Sequence, residues 1–102
     1  MNIKLQSDEK VMKSGFANHF KGIESVGGKL VLTNKRLYFK SHKLNFQNHE
    51  LSLELKDIKE HVKVNTLSIV PNGLKIILKS GEEERFVLNR RNDWIKFLNS
   101  LL

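Results

Sequence analysis

The stretch that decides the fold runs Gly27-Gly28-Lys29-Leu30-Val31-Leu32-Thr33-Asn34-Lys35-Arg36-Leu37-Tyr38-Phe39. Leucines alternate with other residues on both sides of Thr33-Asn34-Lys35-Arg36, and a period of two is the period of a β-strand. Asparagine tolerates the positive φ that two-residue hairpin turns require, so these four residues predict a tight turn. The stretch therefore predicts an antiparallel hairpin whose leucines share one buried face with Phe39.

The same alternation continues on both sides of this hairpin. Residues 10–20 predict a first strand that is bent or bulged near Ser14-Gly15, because glycine inside a strand often marks such a site. Turns are predicted at Pro71-Asn72-Gly73 and at Ser80-Gly81. Residues 41–49 are mostly polar and predict a loop. Further strands are predicted around residues 51–55, 62–70, 74–79 and 86–88.

The end of the chain follows a different period. An apolar stripe recurs at three- and four-residue spacing, formed by Trp94, Phe97, Leu98 and Leu101. This spacing predicts a C-terminal helix over residues 90–101, with Asn89 or Asn92 as its N-cap. An amphipathic helix needs an apolar surface to cover. The predicted fold is mainly β, a meander of about seven antiparallel strands followed by one C-terminal α-helix that covers the open end of the sheet.

The composition limits the class of protein. A chain of 102 residues fits one domain, with its core expected over residues 8–101. The absence of cysteine excludes thiol catalysis and cysteine-based zinc sites, and it favours the cytoplasm for so small a domain. The sequence shows neither a signal-peptide pattern nor an apolar run that spans a bilayer. The formal net charge of +7 favours anionic partners, although a charge of this size also serves solubility.

The strongest functional signal is a stretch without acidic residues, residues 25–49. Lysine and arginine around a hairpin and its following loop suit the binding of anionic headgroups by hydrogen bonds and by their field. An ordinary solvated basic face is the alternative explanation. Phe46 fits either insertion into a membrane or packing on its own barrel. The candidate headgroup-binding residues are Lys21, Lys29, Lys35, Arg36, Lys40 and Lys43.

No residues are arranged in a pattern typical of catalysis or metal binding. Glu82-Glu83-Glu84 lies beside a turn, where a run of carboxylates is usually solvated. No nucleophile elbow and no phosphate-binding glycine loop is present, so neither an enzyme activity nor a cofactor is predicted. The histidines are isolated in strands or loops, where most are surface residues, and they predict no metal site. They are His19, His42, His49 and His61.

The aromatic residues argue against a nucleic-acid partner. Tyr38 and Phe39 have basic neighbours, as residues of a stacking platform do. Adjacent residues of a strand face opposite ways, however, so the two rings do not lie on one surface.

Several motifs in order resemble the GRAM domain, a member of the PH-like superfamily. The most specific is the hairpin quoted above, in the form G-x-L-x-L-T-N-x-R-L-x-F. The resemblance runs from about Asp8 to Leu101. It implies a PH-like barrel of about seven antiparallel strands capped by the C-terminal α-helix, with Trp94 closing one mouth. The other motifs are Asp8-Glu9-Lys10-Val11, Lys56-Asp57-Ile58, Asn72-Gly73-Leu74 and Asn92-Asp93-Trp94.

The resemblance also implies a function. Phosphoinositides often bind PH-like domains beside the first and second strands, which here implies Lys13, Lys21 and Lys29. Val31 stands where the last basic residue of that cluster is expected. The resemblance thus implies a non-catalytic module that docks peripherally on anionic lipid headgroups or a membrane surface. A protein-interaction or adaptor domain that uses a strand edge or the strand–helix groove is the alternative. The oligomeric state is left open.

Overall fold

The computed structural model describes residues 3–42 and 49–102, except for the side chain of Lys21. These residues form seven β-strands and one C-terminal α-helix, as the sequence predicts, together with one 3₁₀ turn. The predictions for Lys43 and Phe46 lie outside the described residues. The elements are β1 (Val11–Lys21), β2 (Glu24–Thr33), β3 (Arg36–Ser41), β4 (Glu50–Glu54), the 3₁₀ turn (Leu55–Asp57), β5 (Ile58–Thr66), β6 (Val70–Leu78), β7 (Glu83–Leu88) and α1 (Arg91–Leu101).

The seven strands form one antiparallel sheet in the order β4-β3-β2-β1-β7-β6-β5. The sheet curls into a half-barrel, with β4 and β5 as its two edge strands. The central pair is the longest, because β1 and β2 pair from Val11 opposite Thr33 to Lys21 opposite Glu24. Alternate residues of each strand therefore face an apolar interior and an outer surface.

The predicted face of the β2–β3 hairpin is the centre of the core. Its four apolar residues are at most 1% exposed. Complete burial of one such side chain contributes roughly 1.5–3 kcal/mol, so this face stabilises the domain substantially. Residues from β6, β7 and α1 pack in the same cluster. The hairpin residues are Leu30, Leu32, Leu37 and Phe39.

Trp94 of α1 is buried, 2% exposed, as predicted. Its indole lies beside β1 at Gly15, where a Cβ would stand 3.6 Å from Trp94 Cζ2. Gly15 therefore contributes to the packing of the indole and does not mark a bulge. The irregular register of β1 lies between Val11 and Lys13, so the predicted position of the bulge is wrong.

The helix begins without a side-chain cap. Arg90 holds the N-cap position in the left-handed region, at φ 57°, and neither Asn89 nor Asn92 caps the helix as predicted. The guanidinium of Arg90 pairs with Asp93 instead, at 3.0 Å. A carboxylate in the first turn also interacts favourably with the helix dipole. No helix within the described residues is long and apolar enough to cross a membrane.

The turn between β5 and β6 lies earlier than predicted. Leu67 and Ser68 take positive φ angles of 53° and 61°. Pro71 lies inside β6, which pairs with β7 only from Gly73 onward. Proline is tolerated there because the missing amide is not needed for that ladder. The predicted turn at Pro71-Asn72-Gly73 is therefore wrong.

Two other predicted turns are confirmed. Asn34 and Lys35 join β2 to β3. The hydroxyl of Thr33 accepts hydrogen bonds from the amides of Lys35 and Arg36, at 3.1 and 3.0 Å. This side chain closes the turn, and Asn34 does not take the expected positive φ. Gly81 takes a φ of 96° between β6 and β7.

Candidate functional site

The structure divides the candidate cations between two places. Lys29 of β2 and Lys40 of β3 are direct partners across the sheet. Lys35 and Arg36 lie at the opposite end of the same hairpin, in its turn and just after it. The four therefore do not form one cluster. The other two candidates are Lys21, the last residue of β1, and Lys43, which lies outside the described residues.

Lys29 and Lys40 share the outer side of the sheet with an exposed aromatic ring. The register places Phe16 beside Lys29 and Glu50 beside Lys40, in one row across four strands. Phe16 is 74% exposed. The ammonium of Lys40 lies 3.3 Å from Glu50, whereas Lys29 forms no ion pair within the described residues. Phe16, Lys29 and Lys40 are named here the outer basic face.

Glu50 fixes the edge of this face. Its carboxylate accepts a hydrogen bond from the hydroxyl of Tyr38 and interacts with Lys40, and both lower the pKa of Glu50. Burial, together with the hydrogen bond to Glu50, raises the pKa of Tyr38 to about 12. The hydroxyl therefore keeps its proton at neutral pH. Lys40 is partly neutralised by this arrangement, and Lys29 is the cation more available to an anionic ligand.

A depression of about 190 Å³ opens beside Phe16. The rings of Phe16 and His42 lie 5.7 Å apart at its side. A Cβ at Gly27 would lie 3.2 Å from the side-chain oxygen of Asn18, so the glycine leaves room for that side chain. The depression is large enough for a few water molecules or one small polar group. Its lining also includes Ala17, Val87, Leu88 and Asn89.

Arg36 is held by an internal carboxylate. Its Nε lies 2.8 Å from Glu9 Oε2, and its Nη2 donates to Glu9 Oε1 and to the carbonyl oxygen of Lys4. Glu9 is buried and also accepts a hydrogen bond from the hydroxyl of Thr33, at 2.6 Å. Burial alone would raise the pKa of Glu9, but the hydrogen bonds from Arg36 and Thr33 outweigh it and hold the pKa at about 2. The pairing also raises the pKa of Arg36.

Lys35 and Asn34 extend this attachment of the N-terminal segment. The ammonium of Lys35 donates to the carbonyl oxygen of Ser7, at 2.7 Å. The side-chain amide of Asn34 donates to the carbonyl of Asp8, and its oxygen accepts from the amide of Lys10. The β2–β3 turn is therefore a receptor for the segment that precedes β1.

The sequence predicts that His19 lies at the surface, but the side chain is buried. It is 2% exposed. Its Nε2 lies 2.8 Å from a Glu84 oxygen, and its Nδ1 lies 2.7 Å from His49 Nε2. The strand period carried the missed signal, because His19 follows the core residue Ala17 by two positions. Within the described residues, no group of three or more histidine or carboxylate side chains is arranged to hold a metal ion.

A second depression, the strand–helix groove, separates α1 from the beginning of β1. Its volume is about 390 Å³. Lys13 places its ammonium 5.3 Å from the centre of the Trp94 ring. Among the described residues, neither Lys13 nor Lys96 forms an ion pair, so the groove is positively charged. The lining residues are Lys13, Asp93, Lys96, Phe97 and Ser100.

Comparisons with known proteins identify both the family and the fold. The family model of the GRAM domain matches residues 1–102 of the sequence. No curated protein matches the chain. A C-terminal domain of an unknown protein from Leishmania infantum is 19% identical, with a TM-score of 0.80 over 93% of this chain and 85% of that chain. The N-terminal PH domain of Vps36 is 20% identical, with a TM-score of 0.69 over 96% and 80%. The Slm1 PH domain in complex with phosphoserine is 18% identical, with a TM-score of 0.64 over 89% and 91%.

The structural likeness, at these low identities, establishes a PH-like fold. The family match is the more specific finding, because it identifies the GRAM domain and covers residues 1–102. The chain therefore belongs to the GRAM domain family.

Proposed function

We propose that this domain docks on an anionic membrane surface through the outer basic face and catalyses no reaction. The supporting observation is the row formed by Phe16, Lys29 and Lys40, in which an exposed ring stands beside two cations on adjacent strands. An aromatic ring gains from entering the interfacial region of a bilayer. Ammonium groups beside it are attracted to anionic lipid headgroups.

The β1–β2 turn supplies a further apolar contact at the end of the same strands. Ile23 is 100% exposed and follows Gly22, which turns the chain with a φ of 65°. Lys21 immediately precedes this turn in the sequence. An apolar side chain at a hairpin tip with a basic neighbour suits the boundary between headgroups and acyl chains.

The charges and apolar groups together set the expected strength of docking. A lysine near an anionic surface contributes about 1 kcal/mol, so Lys29 and Lys40 alone give weak binding. Complete burial of an apolar side chain adds roughly 1.5–3 kcal/mol, and the shallow entry of Phe16 or Ile23 gains part of that. The domain is therefore expected to bind reversibly and to depend on salt.

A structural neighbour supports the class of ligand. The Slm1 PH domain has been solved in complex with phosphoserine and with inositol 4-phosphate. Both ligands carry a phosphate monoester. For this chain we extend only the ligand chemistry, an anionic phosphate-bearing headgroup, with Lys29 as the cation expected to contact it.

Sedimentation with vesicles of phosphatidylcholine and phosphatidylserine tests the proposal. The variant Lys29→Glu/Lys40→Glu reverses both charges of the face and is expected to weaken binding about tenfold or more. The control Lys56→Glu/Lys59→Glu gives the same net charge through two exposed lysines away from the face, and should retain most of the binding. Equal losses in the two variants would contradict a localised site, as would wild-type protein that stays in the supernatant at low salt.

The strand–helix groove favours a second candidate, recognition of an acidic peptide. Phe97 lines the groove together with Lys13 and Lys96, which fits a segment that combines apolar and acidic side chains. Screening of acidic peptides by calorimetry tests this function. The second function requires a peptide that binds the wild type and binds the variant Lys13→Glu/Lys96→Glu much more weakly. If every bound peptide kept its affinity for this variant, the groove would be excluded as the peptide-binding site.

A further inference from the structure

The hairpin between β5 and β6 ends in an apolar tip. Leu67 is 83% exposed, Ile69 is 78% exposed and Val70 is 45% exposed. Single apolar side chains at the surface are ordinary, but three within four consecutive positions form a patch. Leu67, Ile69 and Val70 are named here the β5–β6 tip. They belong neither to the outer basic face nor to the strand–helix groove.

The backbone of this tip is unfavourable for the residues that it carries. Leu67 and Ser68 both have positive φ, a region that side chains with a Cβ disfavour. The amide of Ile69 donates to the carbonyl of Thr66 at 3.1 Å, as in a two-residue turn that normally contains Asn and Gly. Leu67 therefore combines an unfavourable backbone with an exposed apolar side chain, and it gains no burial in return.

Helix α1 contacts the base of this hairpin through Arg91. The Nη1 of Arg91 lies 3.1 Å from the carbonyl oxygen of Val64, 3.1 Å from the side-chain oxygen of Asn65 and 3.2 Å from the carbonyl oxygen of Gly73. These contacts reach both strands of the hairpin. A tip on such a base presents its side chains in a fixed arrangement, which lowers the ordering cost of binding.

The surroundings of the tip are positively charged. Residues 61–81 contain three lysines and no acidic residue, but Lys75 pairs with Glu83 and Lys79 follows the far end of β6. The cations nearest to the tip are Lys63 on β5 and Arg90, which lines a depression with Pro71. Lys63 is exposed on β5 and has no ion pair within the described residues, whereas the side chain of Arg90 is 80% exposed but pairs with Asp93. A convex apolar tip with cations near it complements an anionic bilayer, where the apolar groups leave water and the cations meet phosphates. A purely apolar protein groove would use the leucine but not these charges.

We infer that the β5–β6 tip inserts into the interfacial region of an anionic bilayer, as a contact additional to the outer basic face. This inference rests on the proposed function and identifies an element that enters the lipid. Leu67 and Ile69 are the side chains that leave water.

A site-specific fluorescent probe tests insertion directly, because the chain has no cysteine. Leu67→Cys and the control Lys56→Cys are each labelled with an environment-sensitive nitrobenzoxadiazole group. Vesicles of phosphatidylcholine and phosphatidylserine should shift the emission of the probe at position 67 to shorter wavelength and increase its intensity. The emission of the probe at position 56 should change little, because this exposed residue lies on the 3₁₀ turn, at the opposite end of β5 from the tip.

A second variant separates insertion from folding. Leu67→Asn/Ser68→Gly supplies the residues that the turn prefers, so its melting temperature should rise by about 4–8 °C. Loss of the exposed leucine should nevertheless weaken vesicle binding about tenfold. A more stable protein that binds more weakly is the expected result, and unfolding cannot account for it.

The outcomes distinguish this inference from the proposed function. Wild-type protein that binds the vesicles while the probe at position 67 stays in water would overturn insertion and leave docking intact. Unchanged binding of Leu67→Asn/Ser68→Gly would do the same. Wild-type protein that sediments with no anionic vesicle would overturn both.

Discussion

Glu9 is the residue whose charge fixes the N-terminal segment on the β2–β3 turn. In Glu9→Gln, Arg36 loses its charged partner while its side chain remains only 13% exposed. Breaking a buried pair costs about 3–5 kcal/mol, and the partial exposure of Arg36 reduces the expected loss to about 2–3 kcal/mol. Urea unfolding at neutral pH measures this loss. The control Glu82→Gln changes an exposed side chain and should leave the free energy of unfolding unchanged.

The same carboxylate gives stability a defined pH dependence. The pKa of Glu9 falls from an ordinary value of 4.5 to about 2 on folding, so the folded state binds fewer protons between these values. Its contribution is complete above pH 4.5 and is lost as the pH falls toward 2. The free energy of unfolding of the wild type should therefore decrease more steeply over this window than that of Glu9→Gln. Parallel curves for the two proteins would show that the pair is not stabilising.

The candidate site was predictable from the sequence only where its residues are neighbours in a local pattern. Strand alternation indicates that Lys29 and Lys40 can meet, because they lie on the two arms of one hairpin. The role of Arg36 was missed because its partner Glu9 lies 27 residues away. Likewise His19 is joined to Glu84 over 65 residues, and no local spacing records such a contact.

The β2–β3 hairpin depends on the close approach of its strands at Gly28. A Cβ at this position would stand 2.2 Å from the carbonyl oxygen of Lys40 and 2.7 Å from Phe39 Cζ. Gly28→Ala must therefore displace a backbone in the core, and we expect it to lose about 2–4 kcal/mol of stability.

Gly15→Ala is the matched control in the neighbouring strand. Its new methyl group would lie 3.6 Å from the Trp94 ring, which is ordinary contact. Because glycine weakens the interior of a strand, this variant should be neutral or stabilised by up to about 1 kcal/mol. Thermal unfolding of both variants measures the difference. Equal stabilities would show that Gly28 is not held by packing.

The elements were predictable where one period extends over a whole strand. The β2–β3 hairpin follows from its regular leucines, whereas the β5–β6 turn does not follow from its residue types. Pro71 and Gly73 are the stronger turn formers, and no local preference places Leu67 at positive φ. The contacts of Arg91 supply the missing support. This residue of α1 lies 27 residues after Val64 and 18 residues after Gly73 in the sequence, so no local pattern records the contacts.

In the whole molecule, the outer basic face and the β5–β6 tip lie on one sheet at a considerable separation. β1 and β7 lie between β2 and β6. Three strand spacings of about 4.8 Å place the outer basic face about 14 Å from β6 along the sheet. Substitutions at that distance, with no shared partner, should have additive effects on the free energy of binding. A protein carrying both Lys29→Glu/Lys40→Glu and Leu67→Asn/Ser68→Gly should therefore show the product of the two fold losses.

Salt then separates the charged contact from the apolar one. Raising sodium chloride from about 0.05 M to about 0.5 M shortens the Debye length from about 14 Å to about 4 Å. Vesicle binding of the wild type should fall over this range, and Lys29→Glu/Lys40→Glu should give a shallower slope. Leu67→Asn/Ser68→Gly should start from a lower affinity but keep the wild-type slope, because it removes no charge. If this variant flattened the slope as much as the charge reversal does, the tip would affect binding through the charged surface and would not be an independent apolar contact.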